Sequence, residues 1–222
     1  MSGVKPSTHR LTPEILISAY STGIFPMSEA RDAPSIFWVE PKMRAILPLD
    51  SFHIPQSLKK KVRKKKFEVT FNTNFRFVIE ACANIPRQKK GTWINDEIIS
   101  AYSDLHEIGL AHSIECRLNG NIVGGLYGVS INGVFCGESM FSQATDASKV
   151  ALVHLVARMK YCQLQLLDTQ FITDHLKKFG AIEISARDYL ICLEKALKSN
   201  SRFRSRVSEK EDLISLGKLL SD

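Results

Sequence analysis

The sequence predicts a mixed α/β (α+β) fold with a mainly antiparallel sheet, and three observations lead to this prediction. Asn119-Gly120 and Asn132-Gly133 separate runs rich in β-branched and apolar residues, as in tight hairpins. A long apolar helical segment follows at 146–162. After it, short strand and helix patterns alternate. A meander of strands followed by this alternation is typical of a sheet covered by helices.

The segment before the meander is predicted to contain short helices and loops. Thr12 can cap a helix over 12–22, with Pro13 at its first position. Residues 25–48 are rich in proline and aromatic side chains, which favours a loop-rich subdomain. Three further segments have the periodicity of regular structure, namely a strand at 67–73 and helices at 74–83 and 94–108.

The remaining elements are predicted in the same way. The meander has strands at 113–118, 122–131 and 134–141. The long helix is followed by a strand at 166–171, a helix at 173–179, a strand at 181–185 and a helix at 186–197. The polar, basic residues 199–222 predict a mobile tail with a weakly amphipathic end.

This element order is similar to the acyltransferase architecture called GNAT. In that fold the strands before and after the long helix splay apart, and substrates enter the cleft between them. We therefore expect a small N-terminal subdomain at 1–58, a GNAT-like catalytic domain at 59–198, and the tail at 199–222.

Composition limits the class of protein. The chain has 222 residues and a formal net charge of +7, which favours an anionic partner. Its five cysteines form no C-x-x-C pair, so reduced thiols in the cytoplasm are expected rather than disulfides or zinc. No apolar run reaches the ~20 residues of a membrane span, and the first ten residues do not resemble a secretory signal.

Three polar residues in apolar strands indicate a site. Asp168 and Gln170 are two residues apart and should project from the same face of one strand. Glu138 lies in a strand of small and apolar residues that should flank the same cleft. Because burying such groups unpaired is costly, they form either a structural hydrogen-bonded set or a catalytic site.

Two features of the sequence could bind nucleic acid. Trp93 follows Gly91-Thr92 at the start of a helix, where it could anchor the core or stack on a base. Seven of the eight residues at 59–66 are basic, which indicates phosphate binding or a solvated face. Those seven residues are Lys59, Lys60, Lys61, Arg63, Lys64, Lys65 and Lys66, and Arg87, Lys89 and Lys90 follow later.

The turn before the long helix argues against acetyl-coenzyme A. Enzymes of this fold that use CoA hold its pyrophosphate in a glycine-rich turn at that helix. Residues 142–149 contain no glycine, and Asp146 would repel phosphate. His106, His112, His154 and His175 have no zinc-site spacing, so no metal and no cofactor is expected.

The ordered set of motifs resembles the leucyl/phenylalanyl-tRNA–protein transferase family over about residues 11–190. The matching stretches are Ala19-Tyr20, Gly23-Ile24-Phe25-Pro26, Phe37-Trp38, Gly91-Thr92-Trp93-Ile94, His112-Ser113-Ile114-Glu115, Gly124-Gly125-Leu126-Tyr127-Gly128-Val129, Phe135-Cys136-Gly137-Glu138-Ser139-Met140-Phe141, Ala147-Ser148-Lys149, Asp168-Thr169-Gln170, Asp174-His175, Phe179-Gly180-Ala181 and Arg187-Asp188-Tyr189. Met27 and Leu126 depart from the commonest residues of the family.

The resemblance implies an enzyme that moves Leu or Phe, and Met less well, from aminoacyl-tRNA to proteins that begin with Arg or Lys. The product enters the N-degron route of protein degradation. The α-amino group attacks the aminoacyl ester, which is already activated, so neither ATP nor metal is required. A cytoplasmic monomer with charged tRNA and protein substrates, and without a membrane, is expected.

The resemblance also implies roles for residues. Asp168 orients and polarises Gln170, Gln170 contacts the attacking amine, and Glu138 holds the donor's amino group or ribose. Either carboxylate could select the basic acceptor. The basic run at 59–66 contacts the acceptor-stem backbone. The aminoacyl-adenosine would be bound by aromatic residues and an apolar wall, namely Trp93, Phe135, Trp38, Leu126, Leu152 and Leu155.

Three other functions compete with this one. An acetyltransferase of the same fold would require CoA binding, which a titration would detect. An RNA-binding module without catalysis explains the basic run but leaves Asp168, Gln170 and Glu138 without a role. A peptidoglycan-building aminoacyl transferase also uses charged tRNA, but those chains are longer and usually contain the fold twice.

Overall fold

A computed structural model describes residues 10–85 and 91–221. In chain order its helices are Pro13–Ser21 (α1), Gln56–Arg63 (α2), Phe75–Ala83 (α3), Asp96–Glu107 (α4), Ala147–Tyr161 (α5), Asp174–Lys177 (α6), Ala186–Leu197 (α7) and Glu209–Ser221 (α8). Its strands are Phe25–Ser28 (β1), Ile36–Val39 (β2), Met43–Ile46 (β3), Glu68–Phe71 (β4), Ala111–Leu118 (β5), Asn121–Ile131 (β6), Val134–Ser142 (β7), Leu166–Gln170 (β8) and Ile182–Ser185 (β9).

Seven of the strands form one sheet in the order β4-β5-β6-β7-β8-β3-β9. All neighbours are antiparallel except β7 and β8, which run parallel on either side of α5. The predicted mixed fold with a mainly antiparallel sheet is confirmed. The two Asn-Gly turns join β5 to β6 and β6 to β7, and Asn119 and Asn132 have the positive φ that such turns need.

Helices cover both faces of the sheet and create two hydrophobic cores. One core contains buried residues of α1, α3, α4 and α7, including Leu16, Ile79 and Tyr102. The other contains α5 with residues of α2, α6 and α8, including Val153 and Leu219. Because α5 is buried almost all round, its apolar surface is broad rather than a single stripe.

β3 shows how the N-terminal segment joins the rest of the fold. This strand lies inside the large sheet, between β8 and β9, and pairs with both. β1 and β2 form a separate two-stranded sheet. The boundary at residue 58 stays a prediction, and a strand from the predicted subdomain is part of the sheet of the predicted catalytic domain.

A helix ends the described part of the chain, within the segment 199–222 for which a mobile tail is predicted. Residues 209–221 form α8, which packs along α5 and buries Leu219 and Leu220. The weakly amphipathic pattern at 209–220 therefore marks a helix with a buried face.

The described part of the chain, residues 10–85 and 91–221, includes no helix that is both long enough and apolar enough to cross a bilayer.

Candidate active site

A cleft opens where β7 and β8 diverge. The two strands pair only over 134–136 and 166–168, although β7 continues to Ser142 and β8 to Gln170. A cavity of about 290 Å³ occupies the space between them. Its lining comes from both faces of the sheet and comprises Phe25, Met27, Trp93, Leu126, Tyr127, Gly137, Glu138, Ser139, Met140, Leu152, Leu155, Leu167, Thr169, Gln170, Phe171, Thr173, His175 and Leu176.

Glu138 projects from an irregularity in β7. Tyr127 pairs with Ser139 and Gly128 pairs with Gly137, so Glu138 is an extra residue on its strand. Such a β-bulge interrupts the alternation of side chains and re-aims one of them, often beside an active site. The bulge therefore explains how an acidic side chain leaves an apolar strand and faces the cleft.

Two tyrosines and an amide hold the Glu138 carboxylate. Tyr20 donates to Oε1 at 2.8 Å, and Tyr102 donates to Oε2 at 3.4 Å. The Gln170 Nε2 group donates to Oε1 at 3.1 Å. The hydroxyl groups of Tyr20 and Tyr102 are also hydrogen-bonded to each other. The three donors fix the carboxylate at the polar end of the cavity.

Burial raises the pKa of Glu138 to about 8, because the ionised carboxyl group loses water. The hydrogen bond from Tyr20 acts in the opposite direction, while the negative charge of Asp168 raises the pKa further. Glu138 therefore changes its charge near neutral pH, which is the range in which a group can exchange protons with a substrate.

Gln170 ends β8 in a strained turn. Its φ is 55°, a value that non-glycine residues rarely adopt, and Phe171 N–H donates to Thr169 O at 2.6 Å across it. The Gln170 N–H donates to Asp168 Oδ1 at 2.9 Å. Asp168 thus fixes the backbone of Gln170, and the side-chain amide is free to contact Glu138.

Asp168 is completely buried and neutralised by Arg44. The guanidinium donates to both carboxylate oxygens, at 2.9 Å and 2.6 Å, and its third donor reaches Gly23 O at 2.9 Å. Tyr189 donates to Asp168 Oδ2 at 2.9 Å. Burial of Arg44, offset by the ion pair with Asp168, leaves its pKa above its ordinary value. Since four protein donors occupy the carboxylate, Asp168 positions its neighbours.

The other predicted binding residues fall into two groups. Leu126, Leu152 and Leu155 form an apolar wall of the cavity, and Trp93 lies on its lining. Trp38 pairs with Pro26 in the two-stranded sheet and packs against the core, outside the lining.

Phe135 was predicted to stack on a terminal adenosine, and the structure contradicts this. The side chain is 0% exposed and packs on Phe203, with ring centroids 5.3 Å apart. A Cβ on Gly128 would lie 2.4 Å from the Phe135 ring, so the missing side chain makes room for the ring in the core. The spacing of apolar residues along this strand does not reveal which of them face the cavity.

The basic run forms the surface helix α2 and the turn after it. Leu58 and Val62 anchor the helix in the core, while Lys60, Arg63, Lys64, Lys65 and Lys66 are exposed. Lys59 is half-buried, and Lys61 is paired with Asp146. Arg63 also donates to Leu220 O at 2.9 Å. Arg87, Lys89 and Lys90 lie outside the described residues.

Asp146 lies directly before α5, in the turn that contains no glycine. It precedes α5 with φ 71°, and its carboxylate is paired with Lys61 and with Lys149. Those hydrogen bonds lower its pKa below the ordinary value, so the group remains an anion at the start of the helix. A carboxylate there disfavours a second anion.

Sequence reasoning assigned no role to several residues of the site. Arg44, Tyr20, Tyr102 and Tyr189 complete the hydrogen-bond network, and Phe171, 46% exposed, forms part of the cavity's lining. Arg44 carried one signal, a lone cation in a short apolar run, but its partner is 124 positions away. Within the residues that the structure describes, no cluster of three metal-ligating side chains occurs.

Sequence comparisons identify the family to which the chain is similar. Residues 46–194 match the family model described as "Leucyl/phenylalanyl-tRNA protein transferase", and residues 9–42 match that family's N-terminal domain. A relative from Novosphingobium aromaticivorans, named leucyl/phenylalanyl-tRNA–protein transferase, is 54% identical over 88% of this chain and 74% of its own. One with the same name from Paramagnetospirillum magneticum is 48% identical over 87% of this chain and 92% of its own.

A solved structure of a conserved protein of unknown function from Staphylococcus epidermidis is also similar. It matches 82% of this chain and 68% of its own, with a TM-score of 0.43 and 9% identity.

Proposed function

The chain belongs to the leucyl/phenylalanyl-tRNA–protein transferase family, and we propose that it transfers Leu or Phe from aminoacyl-tRNA to proteins that begin with Arg or Lys. The bond formed is an amide to the α-amino group of the acceptor. Met-tRNA is a poorer donor. The new N-terminal residue marks the product for degradation by the N-degron route, and the reaction takes place in the cytoplasm on a monomeric enzyme.

The proposal rests on the cavity, which has a polar end and an apolar wall. One end is polar, with Glu138 and Gln170, and the wall is apolar, with Leu126, Leu152 and Leu155. An unbranched or aromatic donor side chain suits such a wall, and hydrophobic burial favours its binding. The ester carbonyl then lies between the wall and the polar end.

The chemistry is an aminolysis. The acceptor nitrogen attacks the ester carbonyl carbon, the new C–N bond forms, and the bond to the ribose oxygen breaks. The amine loses one proton and the departing oxygen gains one, so no external reagent is consumed. The site must therefore orient the two substrates, accept a proton and stabilise the developing oxyanion.

Glu138 and Gln170 are proposed to carry these tasks. Glu138 pairs with the donor's α-ammonium group, and this cation lowers the pKa of the carboxyl group and ionises it. The ionised carboxylate then accepts the proton of the attacking amine. Gln170 contacts that amine and keeps Glu138 in place through their hydrogen bond.

Asp168 is proposed as a positioning residue. It lies behind the cavity, 0% exposed, and holds the Gln170 backbone while Arg44 balances its charge. Of the two carboxylates considered for selecting a basic acceptor, Glu138 is on the cavity lining and Asp168 is not. Of the two, only Glu138 is therefore within reach of an acceptor side chain.

The terminal adenosine is proposed to bind at the rim formed by Trp93 and Phe171. Both line the cavity, and Phe171 packs edge-on against Phe25 with centroids 5.8 Å apart. Such aromatic faces stack on a base without reading its identity. Phe171 thus replaces the buried Phe135 in this role. We also assign the sheet and its cleft to a GNAT-like arrangement, since β7 and β8 splay where the cavity lies.

The tRNA backbone is proposed to run over α2. Replacing Lys59, Lys60, Lys64 and Lys65 with alanine should raise the Michaelis constant for tRNA and flatten its salt dependence, because fewer counterions are released. Lys61 stays in place because it pairs with Asp146. Steady-state transfer between low and high KCl measures the effect, and kinetics that do not change with salt contradict it.

The decisive experiment is transfer of radiolabelled leucine from Leu-tRNA. The acceptors are matched proteins that begin with Arg, Lys or Gly, and Gln170→Ala and Glu138→Gln enzymes run alongside. Label on the Arg and Lys proteins alone, lost in both variants, supports the proposal. Efficient binding of tRNA without transfer by the unmodified enzyme contradicts it and favours a binding module.

A further inference from the structure

The segment 199–208, which we call the arginine strap, lies beyond the residues 46–194 that match the main family model. It contains Arg202, Arg204 and Arg206 and no acidic residue. All three arginines are exposed, whereas Phe203 between them is buried. Exposure alternates along the segment, so the three arginines lie on its solvent side while Phe203 faces the protein.

The strap is held firmly to the protein. Phe203 packs among Phe71, His112 and Phe135, with centroids 6.4, 4.7 and 5.3 Å away. Arg158, itself 2% exposed, donates to the carbonyl oxygens of Arg204 and Ser205 at 2.7 and 2.9 Å. The backbone that carries the arginines is thus fixed by buried groups.

The arginine side chains themselves remain available. Among the residues that the structure describes, Arg202 and Arg206 donate no side-chain hydrogen bond and form no ion pair, and Arg204 experiences the charge of Glu211 without a salt bridge. Beside the strap lies a polar groove of about 860 Å³, whose lining includes Tyr161, Gln163 and Asn200. Fixed cations beside a polar groove suit a partner with regularly spaced anions.

The strap's position relative to α2 suggests one anionic partner. It touches the end of α5 at Cys162 and Gln163, whereas Lys61 meets the opposite end at Asp146. The helix α5 is roughly 22 Å long, at about 1.5 Å per residue. α8 begins beside the strap and ends where Arg63 contacts Leu220, so both basic surfaces border the same helix.

We propose that the arginine strap is a second phosphate-contact surface for the tRNA, which binds the helical stem away from its charged end. This rests on the proposed function, because it takes tRNA as the substrate. An aminoacyl nucleoside contains no stem phosphate, so only a donor that carries its helical stem could make these contacts. Arginine contacts to phosphates position the RNA and read no base.

The test compares two charge-matched triple variants. One replaces Arg202, Arg204 and Arg206 with alanine. The control replaces Arg187 and Lys195, which are exposed on α7, and Lys42, which is exposed beside the start of that helix, on the other face of the sheet. Binding of deacylated tRNA is measured from low to high KCl. Transfer from phenylalanyl-adenosine, which lacks the stem, is measured in parallel.

The strap variant should bind tRNA about tenfold more weakly, and its salt slope should fall by about two to three. Its transfer from phenylalanyl-adenosine should equal that of the parent, and arginine-to-lysine replacements should restore much of the binding. The α7 control should bind like the parent.

Three results would overturn the proposal. These are unchanged binding in the strap variant, an equal loss in the α7 control, and a change only in the Michaelis constant for the protein acceptor. Failure of the transferase assignment has a different signature. The unmodified enzyme would then transfer from neither Leu-tRNA nor phenylalanyl-adenosine, while the binding comparison would still decide whether the strap holds RNA.

Discussion

Glu138 is a residue whose environment favours the protonated form, and this has a consequence for stability. Its pKa in the folded chain is about 8, above the ordinary value of a glutamic acid, because burial removes water from the carboxyl group. The contribution of the protonated carboxyl group to the free energy of unfolding is fully present below the pKa that Glu138 has in the unfolded chain. It is lost as the pH rises through about 8. The free energy of unfolding therefore falls as the pH rises from mildly acidic to alkaline values.

We expect Glu138→Gln to remove this pH dependence, because the amide resembles the protonated acid. The unmodified protein should lose on the order of 2 kcal/mol relative to the variant between pH 5 and 9, after discounting for partial exposure. Urea unfolding at several pH values measures the difference. Glu183→Gln, an exposed change on β9, serves as the control. Parallel pH profiles for the parent and Glu138→Gln would contradict the pKa shift.

The pair of Arg44 and Asp168 allows its structural and functional roles to be separated. Arg44→Met leaves a buried carboxylate without its cation and should cost about 3–5 kcal/mol in unfolding free energy. Arg44→Met with Asp168→Leu should recover most of that loss, because neither charge of the pair then remains. Transfer should stay low in the double variant, since Gln170 loses the acceptor of its N–H group.

Urea unfolding and leucine transfer measured on both variants test this separation. A double variant no more stable than Arg44→Met would contradict the proposed charge balance. Full transfer in the double variant would contradict the positioning role of Asp168.

Single residues could be singled out from the sequence where one strand contained all of the unusual polar side chains. An acid and an amide in an apolar strand pointed to Asp168 and Gln170, and a lone acid pointed to Glu138. Arg44 could not be found this way, because its pairing depends on a strand 124 positions away. The burial of Phe135 also depends on a neighbouring strand, since its ring occupies the space above Gly128.

At the scale of elements, the end of β8 is the most informative. Gln170 has φ 55°, which costs a residue with a Cβ about 1–2 kcal/mol. Gln170→Gly should therefore be about 1 kcal/mol more stable than Gln170→Ala, although both lack the amide and both should transfer poorly. Thermal or urea unfolding of the two variants measures the difference. Equal stability would show that the turn relaxes when the side chain is removed.

Elements defined by local chemistry were the ones that the sequence predicted well. The Asn-Gly turns placed β5, β6 and β7, and Thr12 caps α1 through a 3.4 Å bond to Ile15 N–H. The bulge at Glu138 was not predictable, because a bulge is defined by pairing with the next strand. The helix at the end of the chain was indicated only by a weakly amphipathic pattern.

At the scale of the whole molecule, Arg158 connects the end of the chain to the centre of the fold. It stacks over Phe71 at 3.8 Å, contacts two carbonyl groups of the strap, and pairs with Asp212 at 2.7 Å. Arg158→Met should lower the unfolding free energy by about 2–4 kcal/mol and expose the strap to trypsin.

Unfolding curves and the rate of cleavage after Arg204 or Arg206 check this. Lys177→Met, which removes an exposed ion pair with Asp174, should change stability by less than about 0.5 kcal/mol. Equal protease resistance in Arg158→Met and the parent would contradict the anchoring role.

The overall class of fold was predictable from periodicity, but the arrangement of the sheet was not. Periodicity identifies strands and helices, while the position of β3 between β8 and β9 depends on contacts between distant parts of the chain. Residues 25–48 were expected to be irregular because proline and aromatic residues hide their short strands. The cleft itself followed from the predicted order of β7, α5 and β8.

The placement of β3 between β8 and β9 also limits the order in which parts of this protein can fold during synthesis. A newly made chain exposes residues 43–46 long before the partners of that strand have been synthesised, because β8 and β9 begin at Leu166 and Ile182. Contacts between such distant segments slow folding, since the loop must close before they stabilise anything. The ion pair of Arg44 and Asp168 therefore assembles late, and a chain stalled on the ribosome before β8 lacks the centre that would make it active.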